Sequence, residues 1–296
     1  MRSLYPGVGL GRLSGLFGIS RQAHYSHVKK EYRRGLDTER VVEMVKAVRS
    51  VHPRIGGRKV YSIIKPELDR HGIKLGRDKI FDVMSDNQLL VRKRKRYSKT
   101  TNSNHWFKKY DNLVTDFEPY QASQLWVSDI TYIRSSNSFY YLFLITDGYS
   151  RKVVGYKLGK TLETKHAIES LKMALTQVKT GRGLIHHSDR GIQYCSTQYV
   201  KLLQDYGIKI SMTQDGNPLD NAIAERMNGI LKDEYLFNTE NKSFSQIEKE
   251  VKLSIYKYNA LRPHLSCEML VPNEAHLKVG ELNRKWKNYY LKIVDQ

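Results

Sequence analysis

Three acidic residues of this 296-residue chain stand in separate stretches that could bring their carboxylates together. Asp129 lies at the centre of the apolar, β-branched run QLWVSDITYI. Asp189 closes GLIHHSD, and Glu225 stands within DGNPLDNAIAERMNGILKDEY, residues 215–235. A carboxylate in an apolar strand must be hydrogen-bonded, paired or bound to a cation, because an isolated charge loses its hydration there. If the three converge, they form an all-oxygen donor set suited to two Mg²⁺ ions about 4 Å apart, with Mn²⁺ as an alternative and zinc disfavoured. Such a pair activates an attacking water or 3′-hydroxyl and stabilises the leaving oxygen of an in-line displacement at a phosphodiester. Taken one at a time the residues have plainer accounts: a buried Asp bonded to backbone, and a solvated Glu on an amphipathic helix.

The elements that would position these groups are legible from periodicity. At about 100° per residue, Asn221, Asn228, Gly229 and Lys232 fall within roughly 60° of Glu225, and Ile223, Met227, Ile230 and Leu231 fall opposite. Glu225 therefore heads a polar stripe whose far side can pack on a core. Pro218 followed by Asp220 suits the start of that helix. QLWVSDITYI, SFYYLFLITDGYS and RKVVGYKL, joined by short gaps, predict an antiparallel meander. A helix through Ala167, Leu171, Ala174, Leu175 and Val178 follows. GLIHHSD is a fourth strand beside the first, residues 197–206 a second helix and IKISM a fifth strand. The order βββαβαβα predicts an α/β domain, a ribonuclease-H-like mixed five-stranded sheet flanked by helices. Asp147, ending the second strand, reads as a turn residue. His186 and His187 lack a third nitrogen or sulfur ligand at zinc spacing.

Ahead of the sheet the sequence reads as small helices. LSGLFGISRQAHY (13–25) has the spacing of a helix, a turn and a helix capped by Ser20, which fits a packing pair equally well. Thr38 is expected to cap a helix through Val41, Val42, Val45 and Val48, ended by His52-Pro53. Two more helices follow, one with Ile63, Ile64 and Leu68 and an expected break at Pro66, the other with Ile80, Phe81, Val83 and Met84. With Arg54, Arg58, Lys59, Arg77 and Lys79 around them, these form an expected all-α helix-turn-helix DNA-binding domain, a helical oligomerisation module being the alternative. Arg92, Lys93, Arg94, Lys95 and Arg96 make a basic arm suited to phosphates. The domain reading is thus 1–37 a short helical segment, 38–91 helix-turn-helix, 92–119 basic linker, 120–240 catalytic core and 241–296 a helical, basic extension. In the extension Tyr256, Tyr258, Arg262 and His264 lie against DNA or pack on the core.

The net charge is +20, and it is uneven: residues 1–119 hold 26 Lys/Arg against 12 Asp/Glu, whereas residues 120–296 hold 24 against 18. A basic front half favours a polyanion, most simply double-stranded DNA. Two cysteines, Cys195 and Cys267, make no disulfide framework and fit a reducing, cytoplasmic setting. There is no run of about 18 apolar residues, so no membrane span is expected.

Asp129, Asp189 and Glu225, with 35 residues between the last two, resemble the D,D(35)E signature of the retroviral integrase superfamily. WVSDITYI, HHSDRGIQY, DNAIAERMNGILKDE and YNALRPH are similar to the transposase encoded by the downstream frame of IS-three-type bacterial insertion sequences, and RIGGRKV and GRDKIFDVM to that family's helix-turn-helix segment. The likeness spans roughly residues 40–280. It implies a bacterial, nucleoid-associated DDE transposase that nicks a transposon end to free a 3′-hydroxyl and uses it in strand transfer. It implies metal ligation by Asp129, Asp189 and Glu225, and phosphate contact by Lys232, with Asn221 and Asn228 on the same face. His187, Arg190, Gly191 and Gln193 frame Asp189, and Arg190 and Gln193 are further DNA-contact candidates. It also implies a homo-oligomer on paired ends and terminal-repeat recognition aided by an upstream-frame product or fusion, residues 1–37 being a junction. The His/His/Cys/Cys zinc module of retroviral integrases has no counterpart here. Two other readings keep the same residues: a structure-selective nuclease of this fold, and a DNA-binding protein with an inactive core.

Overall fold

The computed structural model describes residues 7–91, 106–115, 117–136, 139–214 and 221–285, which divide into two compact units. The basic arm Arg92–Arg96 and the expected helix start at Pro218 and Asp220 lie outside the described residues.

The first unit comprises residues up to Ser50 together with Val60–Val91. Its helices are α1 (Leu10–Leu16), α2 (Arg21–Val51), α3 (Gly57–Arg70) and α4 (Arg77–Asp86). Val41, Val45 and Val48 of α2, Ile64 and Leu68 of α3, and Ile80 and Met84 of α4 are buried. Each such side chain contributes about 1.5–3 kcal/mol by leaving water. Two expectations are corrected here. Thr38 does not cap a helix, because α2 runs unbroken from Arg21 and the Thr38 hydroxyl donates back to the Arg34 carbonyl at 2.8 Å. Pro66 does not interrupt α3; it is exposed, and the buried Ile64 and Leu68 on either side hold the helix to the core despite the lost backbone bond. Among the described residues, 7–37 cluster with this unit.

The second unit holds Val51–Lys59 and the chain from residue 92 onward. Its centre is one five-stranded sheet of order β3-β2-β1-β4-β5. Strands β1 (Leu125–Arg134), β2 (Phe139–Asp147) and β3 (Val153–Gly159) form the antiparallel meander; β4 (Ile185–Ser188) and β5 (Lys209–Met212) add in parallel. Helices α5 (Thr164–Leu175), the single turn α6 (Ile192–Cys195) and α7 (Thr197–Asp205) follow β3 and β4. Trp126, Phe143 and Ile145 pack with Ala167, Leu171, Tyr199 and Leu203 on that side. The opposite side carries α8 (Ala222–Ile230), continued as a π-helical turn at Leu231–Tyr235, and α9 (Phe244–Leu261). There Ile133, Leu142 and Leu144 meet Met227, Ile230, Leu231, Val251 and Tyr258. After α9 a 3₁₀ turn at Leu265–Cys267 and the short α10 (Pro272–Ala275) close the described chain. The sheet is the ribonuclease-H-like arrangement the alternating pattern called for.

Close packing of α5 on β3 depends on Gly155. A Cβ there would lie 2.2 Å from the Ser170 carbonyl oxygen and 3.1 Å from the Ala174 methyl. Gly155→Ala is expected to lower stability by about 1–3 kcal/mol, read as a fall in denaturant midpoint with an unchanged slope.

Candidate active site

The parallel pairing of β1 with β4 brings the two Asp residues together. Val127 pairs with His187 and Ser128 with Ser188, so the next step of the register sets Asp189 beside Asp129 on strands about 4.8 Å apart. Alternation along β1 puts Asp129 on the face of Leu125, Val127 and Ile133, which α8 and α9 cover. Its Oδ1 accepts the Ile130 N–H at 2.8 Å, and its Oδ2 accepts Asn228 Nδ2 at 2.7 Å. Burial, then the Asp189 charge and to a smaller degree that of Glu225, push the Asp129 carboxyl up to about 7. Asp189 accepts the Gly191 N–H at 3.0 Å through Oδ1, the atom a Cβ on residue 191 would meet at 2.9 Å. A side chain at residue 191 would therefore push the Asp189 carboxylate from this position.

Glu225 is exposed on the first turn of α8. Asn221, the residue capping that helix, is buried and donates Nδ2 to the Ser128 carbonyl at 3.3 Å. Asn221 and Asn228 thus tie α8 to the strand carrying Asp129, and are corrected from surface DNA contacts to buried supports. Their Oδ1 atoms have no hydrogen-bond partner among the described residues. Among the described residues no three His, Cys, Asp or Glu side chains are closed into a metal cage. The donor set nonetheless fits a hard divalent cation. It is carboxylate oxygen throughout, two of the acids repel each other, and the raised Asp129 carboxyl is what a cation would reverse.

The two histidines of HHSD point to opposite faces, as neighbours on a strand must, so they do not share a zinc ion. His186 Nε2 lies 2.7 Å from Ser128 Oγ and 2.9 Å from Tyr199 Oη; burial lowers its ring to about 3, so it is neutral. His187 Nδ1 lies 2.9 Å from Ser211 Oγ, which accepts the Leu113 N–H. Asp147 is wholly buried and accepts Ser123 N–H, Ser150 N–H and Ser150 O–H, as a turn residue does. The Ser128–His186–Tyr199 chain beneath Asp129 was missed in the sequence. Its signal was the register itself, which pairs Trp126 with His186 on the face away from Asp129.

Several expected DNA contacts are corrected. Arg262 is buried, and its guanidinium forks onto Glu234 with bonds of 2.7 and 2.6 Å. Lys59 is buried 4.0 Å from the same carboxylate; burial and then Arg262 lower its amine to about 8. His52 Nδ1 lies 2.7 Å from Tyr235 Oη, and its ring is lowered to about 4, first by burial. Gln193 is buried with Nε2 on the Leu162 carbonyl. Tyr258, buried, donates to the Arg151 carbonyl, and Asn259 brackets Val153 through both backbone groups. YNALRPH is therefore a scaffold that binds α9 to β3 and to the turn after α8. Arg58, Lys232 and Tyr256 are exposed and Arg190 is half-buried; Arg77 and Lys79 are exposed but paired with Asp78 and Asp82.

A five-stranded sheet of this order, with Asp129 on its central strand, Asp189 just past the end of β4 and Glu225 on the covering helix, fits a polynucleotidyl transferase of the integrase-core class. Comparison agrees: the integrase core domain family matches residues 119–218 and again 206–272. The 31 kDa protein of insertion element IS600 from Shigella sonnei is 33% identical over 84% of this chain and 92% of its own. The transposase of insertion sequence element IS629 from the same organism is 27% identical over 86% of each chain. The transposase of insertion sequence IS3A from Escherichia coli K12 is 31% identical over 64% of this chain and 67% of its own. The chain belongs to the insertion-sequence transposase family, and it is a DDE-type DNA transposase. No helix among the described residues is long and apolar enough to cross a membrane.

Two outcomes follow for the fold around the site. With its carboxyl near 7 instead of the ordinary 3.8, Asp129 is a raised acid: its contribution to stability is full below the ordinary value and lost as pH rises through 7. In the presence of a chelator, Asp129→Asn is expected to melt above the wild type at alkaline pH, by at least about 1 kcal/mol, with the gap closing in acid. Equal melting at every pH would show that no repulsive burial exists. Separately, Arg262→Met should cost about 3–5 kcal/mol by stranding Glu234, and Arg262→Met with Glu234→Leu should recover most of it in chemical denaturation.

Proposed function

We propose that Asp129, Asp189 and Glu225 are the carboxylates with which this transposase nicks DNA at the ends of an insertion element and joins the freed 3′-hydroxyl to target DNA. The observation that carries the reading is the register pairing of β1 with β4, which sets two repelling acids side by side beneath the helix of Glu225. These three side chains would hold Mg²⁺, with Mn²⁺ as a substitute, in a two-ion arrangement. When bound, the ions supply activation of the attacking oxygen and stabilisation of the leaving one. The chain's own part is orientation. Asn228 and the Ile130 N–H fix both oxygens of Asp129, the Gly191 N–H fixes Asp189, and Asn221 anchors the start of α8 to β1. Lys232, Arg190 and Arg58 supply phosphate contacts, and the basic arm Arg92–Arg96 adds positive charge for the DNA backbone. A homo-oligomer on paired ends, help from an upstream-frame product and a nucleoid location in the cytoplasm complete the proposal.

The test is a strand-transfer assay with a pre-cleaved end and a supercoiled target. Asp129→Asn, Asp189→Asn and Glu225→Gln are each expected to lose nicking and joining by roughly a thousandfold or more while duplex binding persists. A variant that still joins ends removes its residue from the site. Hydrolysis by the wild type without joined product would make the protein a structure-selective nuclease; binding with no metal-dependent activity would make it a DNA-binding protein with an inactive core.

A further inference from the structure

The start of the chain carries a surface that the catalytic reading leaves unused. Leu13 and Ser14 of α1 are buried, and Ser14 is small enough for close packing. Gly18 then takes φ +68, a left-handed turn, with the Ile19 N–H closing back onto the Ser14 carbonyl at 3.2 Å. Ser20 caps α2 by accepting the Ala23 N–H at 3.0 Å. This is a helix, a glycine turn and a second helix at helix-turn-helix spacing.

The second helix is presented to solvent. Arg21, Gln22, Tyr25, Ser26 and Lys29, at i, i+1, i+4, i+5 and i+8, are all exposed and line one continuous face. The Arg21 guanidinium lies 5.6 Å from the centroid of the Tyr25 ring. Between residues 21 and 34 stand five basic side chains (Arg21, Lys29, Lys30, Arg33 and Arg34) against one acid, Glu31, which takes only Arg34. The helix α4 offers the opposite balance. Arg77 and Lys79 face Asp78, Asp82 and Asp86, and each basic group is already in an ion pair at 3.1 Å. A duplex phosphate backbone would be attracted to the first surface and gain little from the second.

We propose that α1, the Gly18 turn and the first turns of α2 form a DNA-reading helix-turn-helix whose Arg21, Gln22, Tyr25, Ser26 and Lys29 enter the major groove of duplex DNA. The inference rests on the chain being a DNA transposase, and it places groove reading on α2 rather than on the helices of residues 57–86. Arg21 and Lys29 contact phosphate or guanine edges; Gln22 and Ser26 present donors and acceptors to base edges, and Tyr25 packs against the sugar–phosphate wall.

The experiment measures fluorescence anisotropy of the full chain on labelled duplexes, with and without the element's end sequences, across a salt series in chelator. Arg21→Ala with Lys29→Ala should weaken binding to every duplex by about tenfold or more and reduce the salt slope by about 2. Gln22→Ala should flatten the preference for end sequence with little change on unrelated duplex. Arg77→Ala with Lys79→Ala should change neither. All these positions are exposed, so circular-dichroism melts should match the wild type. Wild-type binding by the α2 variants overturns the proposal, and a loss confined to the α4 variant places groove reading there. Intact binding with lost self-association in sedimentation makes the face a contact between copies of this chain. Because binding is read without metal, absence of strand transfer would count against the catalytic assignment alone.

Discussion

Two negative charges held side by side where β1 meets β4 are the constraint on which the rest of the site depends. Asp129 lies within β1 and Asp189 directly follows the last paired residue of β4, Ser188, so the ladder that ends at Ser128 and Ser188 brings their backbones together. The surrounding structure does what a rigid frame can: an amide donor and a backbone N–H reach Asp129, a backbone N–H reaches Asp189, and residue 191 lacks the Cβ that would intrude. These donors soften the repulsion without removing it, and the Asp129 carboxyl stays raised. A fold that keeps such a conflict at its centre is specialised for a positive occupant.

The frame is built from both faces of the sheet. Below, Ser128, His186 and Tyr199 form a buried polar chain that locks the two strands in register by side chains as well as backbone. Above, α8 is tied to β1 by two asparagines and is held at its far end by the Glu234–Arg262 fork. The π turn at Leu231–Tyr235, closed by the Leu236 N–H on the Leu231 carbonyl, faces Glu234 toward Arg262 while Lys232 stays in solvent. The helix that carries Glu225 is thus clamped at both ends.

The sheet was legible because its strands announce themselves. An apolar run broken by one Asp, short gaps before the next two strands, and a helix between each of the last two leave few topologies. Asp129 was legible because charge at an apolar position calls for an explanation, whereas Asp189 and Glu225 were legible through their 35-residue spacing and the family pattern around them. What a helical wheel could not give was depth. It placed Asn221, Asn228 and Lys232 on one polar stripe, yet the two asparagines lie buried on β1 and only the lysine is exposed. Arg262 and Lys59 misled for a related reason. Basic residues are surface residues by default, and their burial follows from an acid, Glu234, that is distant from each of them in sequence. Thr38 failed as a cap because a good capping residue is also a tolerable interior one when its hydroxyl bonds back to the preceding turn.

The unbroken course of α2 has a mechanical consequence. Between the exposed start at Arg21 and the buried stripe Val41–Val48 lie some twenty residues of continuous helix, about 30 Å of rod. That is close to one turn of B-form DNA, about 34 Å. A flexible tether would let its two ends find sites at any spacing. A rod of this length acts as a ruler: adding or removing one residue shifts its tip by about 1.5 Å and turns its face by about 100°. The spacing between whatever is gripped at one end and held at the other is written into the number of residues in that helix.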